Sequence, residues 1–340
     1  MIGAVPGSPA QLAEDLLDRA TVRVVEMSGV VARIVVELPP LGEAASSLTA
    51  APIALRGTID GPHCQYASTL TATVSLRTPM GHASLPGEPR RVTVEAAIPD
   101  PCFWTPQLPH RYRLKLELAC GGEVLARSER WLGLRPLSVR GRGLHFDGAN
   151  WVLRAADQLL MPGAELSQWR EESLAMIVAS PDDELCERAS QIGVLLVAEL
   201  TGSAKHIIAE LQRLSRHAAV GLAIVKSTEP LDASVRHAAG GIALIQRVGD
   251  ASGATAGLPN SAGIDVVLPW RQALLVDASD PQFTEVTSTE SLPVLVERTT
   301  APCATPAAAR RACDTLQADT AGHGTFAGYL IRAARTQEPK

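Results

Sequence analysis

The stretch LAMIVASPDDELCERASQIGVLLVAEL, residues 174–200, decides the fold of the larger part of the chain. Two apolar runs, 174–180 and 194–200, flank a polar segment that begins with Pro181 and three acidic residues. Proline and acids are typical of a helix N-terminus, so the stretch predicts a strand, a helix and a second strand. The two apolar runs indicate parallel strands that are buried on both faces and joined by a helical crossover.

The same alternation recurs over residues 140–335. The predicted barrel strands are the apolar runs at 151–156, 174–180, 194–200, 220–226, 241–248, 264–269, 292–298 and 325–331. Eight parallel strands in about 190 residues predict a compact (β/α)8 TIM barrel with short loops. A doubly wound open sheet is the competing fold, and the lack of a G-x-G-x-x-G motif after any run counts against it. The sequence also lacks a Walker loop and the H-E-x-x-H and G-x-S-x-G motifs.

The N-terminal part of the chain has a different pattern. Residues 1–20 contain a helical segment, and residues 21–139 contain about seven short runs rich in β-branched or alternating residues. Glycine and proline separate these runs, which is typical of an immunoglobulin-like antiparallel β-sandwich. The predicted domains are therefore a helical segment (1–20), a β-sandwich (21–139) and a barrel (140–335).

Composition excludes several classes of function. The net charge is −5, so no overall positive field favours nucleic acid or an anionic membrane as a partner. Aromatic residues make up only 4% of the chain, which counts against extensive stacking on sugars or bases. The six cysteines form no C-x-x-C pair, so no structural zinc site is expected. Neither a signal peptide nor an apolar run of about 18 residues is found, so a cytoplasmic location is expected.

Five segments in order resemble glycoside hydrolase family 2, the β-galactosidase and β-glucuronidase group. IPDPCFWTPQLPHRYRLKLEL (98–118) resembles the family's NP-x-LW-x-P-x-x-P-x-LY-x-L strand pair, and residues 130–157 resemble its hinge into the barrel. Residues 180–200, 213–225 and 292–298 are similar to the segments around its third, fourth and seventh barrel strands. This resemblance implies a β-sandwich followed by a TIM barrel, a carbohydrate ligand, and neither a metal nor an organic cofactor.

The resemblance implies two catalytic carboxyls, because a retaining glycosidase needs a nucleophile and a general acid/base. Glu297, after the seventh strand, is the candidate nucleophile, and an ion pair with Arg298 or another arginine at the barrel mouth is the alternative interpretation. Glu229 is the candidate acid/base, and a solvent-exposed loop carboxylate is the alternative interpretation. The family's Asn-Glu pair is not preserved, because Ser227 and Thr228 occupy those positions and Glu229 follows one residue later.

Five further residues are candidates for substrate binding. They are Arg154, Asp157, Glu199, Trp270 and Tyr329. Arg154 and Glu199 either bind a polar ligand or pair with each other, and Trp270, after the predicted sixth strand, either stacks on a sugar or caps the packing. Two functional hypotheses follow: a divergent retaining glycoside hydrolase, or a non-catalytic pseudo-glycosidase that serves as a carbohydrate-binding or scaffold protein.

Overall fold

The computed structural model describes residues 8–40, 53–79, 92–248, 270–280, 283–284 and 291–334. These residues form two compact units. The first contains the described residues up to 103 together with 110–134, and the second contains 104–109 and the described residues from 135 onward. The predicted boundary between residues 139 and 140 stays a prediction.

The first unit is a two-sheet β-sandwich. Its elements are helix α1 (Pro9–Asp18) and strands β1 (Thr21–Met27), β2 (Val31–Glu37), β3 (Ile53–His63), β4 (Ala72–Ser75), β5 (Thr93–Pro99), β6 (Arg111–Cys120) and β7 (Glu123–Leu132). One sheet has the order β1-β2-β5 and the other β4-β3-β6-β7, with antiparallel pairing throughout. Alternate residues of β2 and β6, such as Ile34 and Leu114, are fully buried, as an alternating pattern requires.

The second unit is a closed eight-stranded parallel barrel that a small antiparallel sheet precedes. The sheet consists of β8 (Leu137–Arg140), β9 (Gly143–Phe146) and β10 (Ala149–Trp151). The barrel strands are β11 (Leu153–Asp157), β12 (Ala175–Ala179), β13 (Leu196–Gly202), β14 (Val220–Ser227), β15 (Ala243–Arg247), β16 (Ala273–Asp277), β17 (Val294–Thr300) and β18 (Gly328–Ala333). The predicted TIM barrel is confirmed.

Helices follow the strands of the barrel. The described ones are α2 (Leu166–Glu171), α3 (Asp183–Ile192), α4 (Ala204–Leu214), α5 (Ser234–Ala239) and α6 (Pro306–Thr320). Helix α3 begins where the sequence predicts, because the Asp182 carboxylate accepts the Leu185 backbone N–H at 2.8 Å. It ends at Gly193, whose φ of 93° is left-handed.

The sixth barrel strand differs from the prediction. The run at 264–269 lies outside the described residues, and the strand between β15 and β17 is Ala273–Asp277. The sequence QALLVD at 272–277 is as short and apolar as its neighbours, so periodicity alone did not distinguish the two runs.

Residues 104–109 lie between β5 and β6 in the chain but belong to the barrel unit. Trp104 is completely buried, and its indole N–H donates to the Ser190 carbonyl at 2.8 Å. Gly193 leaves room for this segment, since a Cβ at that position would lie only 2.4 Å from the Pro106 carbonyl oxygen.

Candidate functional site at the barrel mouth

One inward-facing position near the carboxyl end of each barrel strand contributes to a charged level. The strand register and the alternation of side chains place eight residues there: Asp157, Ala179, Glu199, Lys226, Arg247, Asp277, Glu297 and Arg332. Seven of these eight residues are ionisable. Catalytic and binding residues of TIM barrels lie at this end, so the charged level is the candidate site.

Glu297 is held by an arginine of the fifth barrel strand. Arg247 approaches both of its carboxylate oxygens, with Nε 2.8 Å from Oε1 and Nη2 2.8 Å from Oε2. The Nη2 contact is a charge-assisted hydrogen bond, and the Nε contact is a close ion pair. Arg298 points away from the mouth, and its Nη1 lies 2.6 Å from Asp319 of α6. Glu297 therefore pairs with an arginine at the barrel mouth, Arg247, and not with Arg298.

Burial and charge act in opposite directions on Glu297, whose exposed fraction is only 5%. Burial raises the pKa of its carboxyl, while the positive charges of Arg247 and Arg332 lower it. The result is a pKa above the ordinary value of a glutamate. A carboxyl in this position takes up a proton more readily than an exposed one.

Arg332 connects three of the carboxylates. It forms a short ion pair with Glu199, and its Nε lies 3.9 Å from Oδ2 of Asp157 and 3.9 Å from Oε2 of Glu297. The residue is 4% exposed, and its Nη1 has no hydrogen-bond partner in the described part of the chain. A buried guanidinium N–H without an acceptor is costly, so this atom needs an explanation.

A cavity of about 310 Å³ adjoins this group. Its lining residues are Arg247, Val248, Asp277, Glu297, Thr299, Arg332 and Ala333. Oδ1 of Asp277 accepts the backbone N–H and the hydroxyl of Ser279, which orients the carboxylate at the end of β16. The volume is at the lower limit of small-molecule sites and suits a ligand of the size of a monosaccharide or smaller.

Three of the predicted site residues come together at the mouth: Glu297, Glu199 and Asp157. Asp157 is 5% exposed, and its Oδ1 accepts the backbone N–H of Leu159 at 3.0 Å. Glu199 pairs with Arg332, and its Oε1 lies 3.9 Å from Nη2 of Arg247. The suggested pairing of Glu199 with Arg154 is wrong.

Glu229 lies in the exposed segment after β14. Its Oε2 accepts the backbone N–H of Ala204 at 3.2 Å, at the first residue of α4. It is absent from the lining of the described cavity. This contact satisfies a free N–H at a helix N-terminus, a structural role for which a carboxylate is well suited.

Arg154 and Tyr329 face the outside of the barrel. Arg154 donates to Asp314 and Gln317 of α6, at 2.7 Å in both cases. Tyr329, the second residue of β18, is 4% exposed, and burial raises the pKa of its hydroxyl, which has a hydrogen bond with Thr320 of α6. The prediction that these two residues line the mouth is corrected, because both occupy outward positions of their strands.

Trp270 precedes β16 and therefore lies at the opposite end of that strand from the mouth. It is 2% exposed and belongs to the barrel core. Its predicted position after the sixth strand is wrong because that strand begins at Ala273. The alternative interpretation of Trp270 as a packing residue fits this position.

Sequence reasoning missed Lys226, Arg247, Asp277 and Arg332. A signal for the two arginines was present, because each lies two residues after an inward apolar residue, as in Ile245 and Arg247 or Leu330 and Arg332. Asp277 was missed because the sixth strand was placed too early.

Metal-binding clusters and membrane-spanning helices are both absent from the described residues. No group of three or more histidine, cysteine, aspartate or glutamate side chains in these ranges is arranged to hold a metal ion. No helix that the structure describes is long and apolar enough to cross a membrane.

Comparison with known proteins identifies the fold but no sequence relative. No family model matches the chain, and no curated protein sequence matches it. A glycosyl hydrolase family 2 member from Bacteroides cellulosilyticus DSM 14838 superimposes with a TM-score of 0.59 and 12% identity, over 93% of this chain and 45% of that one.

Two further structures give the same result. A Bifidobacterium dentium β-glucuronidase complexed with coumarin-3-O-glucuronide has a TM-score of 0.56 and 10% identity, over 92% of this chain and 59% of that one. A putative β-galactosidase from Bacteroides fragilis has a TM-score of 0.52 and 12% identity, over 92% and 54%. The chain thus spans about half the length of these structures. The resemblance inferred from the sequence motifs is confirmed at the level of the fold, which is that of glycoside hydrolase family 2 structures.

Proposed function

We propose that this chain is a non-catalytic pseudo-glycosidase, whose barrel mouth binds a small polar ligand and does not hydrolyse a glycosidic bond. The observation that carries the proposal is the state of Glu297, whose two carboxylate oxygens both pair with Arg247. A nucleophile must approach the sugar carbon, and this ion pair would have to be broken first.

The position of Glu229 supports the same conclusion. Retaining glycosidases need two carboxyl groups about 5–5.5 Å apart, and inverting ones need them about 6.5–9.5 Å apart. Glu229 is exposed and engaged at the N-terminus of α4, and the inward position at the end of β14 is Lys226. A lysine side chain carries no carboxyl group and therefore cannot supply the second carboxyl of either arrangement.

A retaining glycosidase that uses Glu199 with Glu297 is the second candidate. Two features favour it: both carboxylates pair with Arg332, and burial raises the pKa of Glu297 as it does for glycosidase general acids. Carbohydrate is the ligand class proposed under either function, because the solved structures with this fold include a glucuronidase with a bound glucuronide.

The experiment that separates the two is a turnover assay on aryl β-glycosides, including a β-glucuronide and a β-galactoside. Wild type, Glu297→Gln and Glu199→Gln are compared, with Glu229→Gln as the matched surface control. We expect no release of the aryl group above the buffer rate in any of the four proteins. Turnover by wild type that falls by about 10²-fold or more in Glu297→Gln would establish the glycosidase and overturn the proposal.

A further inference from the structure

The charge balance of the mouth limits what can bind there. Among the described strand ends, four carboxylates face three cations, so one negative charge is left over. The carboxylates are Asp157, Glu199, Asp277 and Glu297, and the cations are Lys226, Arg247 and Arg332. An anion that entered this group would be repelled unless one of the carboxyls took up a proton.

The unpartnered donor nevertheless calls for an acceptor. Nη1 of Arg332 is buried without a hydrogen-bond partner among the described residues, and Arg332 lines the cavity. Thr299, the register partner of Arg332 on β17, lines the same cavity, and its hydroxyl is a second donor. A guanidinium N–H and a hydroxyl are suited to the two oxygens of a carboxylate.

Glu297 is the carboxyl best placed to receive the proton. The groups that face it are Arg247 from β15, Asp277 from β16, Arg332 from β18, and, through Arg332, Glu199 and Asp157. Its burial already favours the neutral form, and the neighbouring charge of Asp277 acts in the same direction. A protonated Glu297 would leave the positive charge of Arg247 available to an incoming anion.

We infer that the mouth binds a small carboxylate together with one proton, that Arg332 donates to the bound carboxylate, and that Glu297 receives the proton. The inference rests on the proposed function, since it specifies that the ligand of the same non-catalytic mouth presents a carboxylate group. The bound carboxylate replaces the ionised Glu297 side chain as the anionic partner of the arginines. Since the ligand brings one negative charge and the proton one positive charge, the net charge of the site does not change. No bond other than that of the transferred proton is formed or broken.

The test is the binding of formate to the full chain at pH 5.5 and pH 7.5, measured by calorimetry at constant ionic strength. Formate is small enough for the cavity and stays ionised over this range, and formamide is the neutral control. We expect wild type to bind formate at least about tenfold more weakly at pH 7.5 than at pH 5.5. When binding takes up one proton, the affinity falls by up to tenfold for each unit by which the pH rises. Formamide should not compete at either pH.

The variant Glu297→Gln mimics the protonated residue. Its expected result is retained binding, which a loss of folding could not produce. We expect it to bind formate with the same affinity at both pH values, whereas Arg332→Met should abolish binding. Equal affinity of wild type at the two pH values would overturn the role of the proton. Absence of formate binding in both wild type and Glu297→Gln would overturn the site itself. Turnover assays are independent of these outcomes, so failure here is distinguishable from failure of the proposed function.

Discussion

The interior of the barrel changes character between two successive levels of the same eight strands. Two residues before each position of the charged level lies an apolar one: Ala155, Ile177, Val197, Ile224, Ile245, Leu275, Leu295 and Leu330. All eight are at most 4% exposed. The apolar level is stabilised by volume and burial, whereas members of the charged level depend on one another for neutralisation.

This difference implies that a substitution in the charged level removes charge compensation from the side chains that remain, which lowers the stability further. In the apolar level the cost is confined to lost burial and the cavity created. Four changes separate these two kinds of cost.

Arg332→Met should have the largest effect. It removes the cation that pairs with Glu199 and approaches Asp157 and Glu297, and leaves those carboxylates buried with less compensation. We expect a loss of about 3–5 kcal/mol in the free energy of unfolding, measured by urea denaturation. If the loss were below about 1 kcal/mol, the charged level would not be interdependent.

Leu295→Ala should cost about 2–5 kcal/mol, with a central value near 3, because the side chain is fully buried one level below Glu297. The same urea titration measures it. In contrast with Arg332→Met, Leu295→Met should largely preserve stability, since the volume is kept. An equally large loss in Leu295→Met would mean that shape, and not burial, dominates the apolar level.

The pH dependence of stability should differ between wild type and Glu297→Gln by about 1.4 kcal/mol for each unit by which the folded pKa is raised. The raised pKa of Glu297 means that the folded state binds more protons than the unfolded state above about pH 4.3. Relative to Glu297→Gln, wild type should therefore lose stability as the pH rises from about 4.3 through the folded pKa. Urea midpoints at half-unit intervals measure the difference. Parallel curves for the two proteins would contradict the shift.

Arg298→Met should have the smallest effect, about 0–1 kcal/mol. Arg298 is adjacent to Glu297 in sequence but pairs on the outer surface with Asp319, and both side chains are more than a third exposed. Arg332→Met and Arg298→Met are the same type of substitution, so they differ only in whether the arginine faces the inside or the outside of the barrel. A comparable loss for the two variants would remove the distinction between inside and outside.

The barrel was predictable because seven of its eight strands lie within or overlap the apolar runs, and β12 and α3 follow the sequence pattern of residues 174–192. The site was only partly predictable. Glu297, Glu199 and Asp157 were identified from the family resemblance together with their places near strand ends, but Arg154 was assigned to the same group although it faces α6.

Direction within a strand explains these failures. Arg154 and Asp157 are three residues apart, an odd spacing, so they lie on opposite faces of β11. Tyr329 and Arg332 stand in the same relation on β18. The resemblance to a family gave the correct strands, and only the register showed which face of each strand bears the site.

The burial of Trp104 has a consequence for any attempt to divide this protein. A fragment that begins at residue 135 would contain all eight barrel strands but would lack the indole that donates to Ser190. Residues 104–109 belong to the barrel unit, but in the sequence they interrupt the first unit, which resumes at residue 110. No single cut in the chain therefore separates the two units. Recovering the barrel as an independent fragment should therefore require peptide complementation, with residues 104–109 supplied as a separate piece.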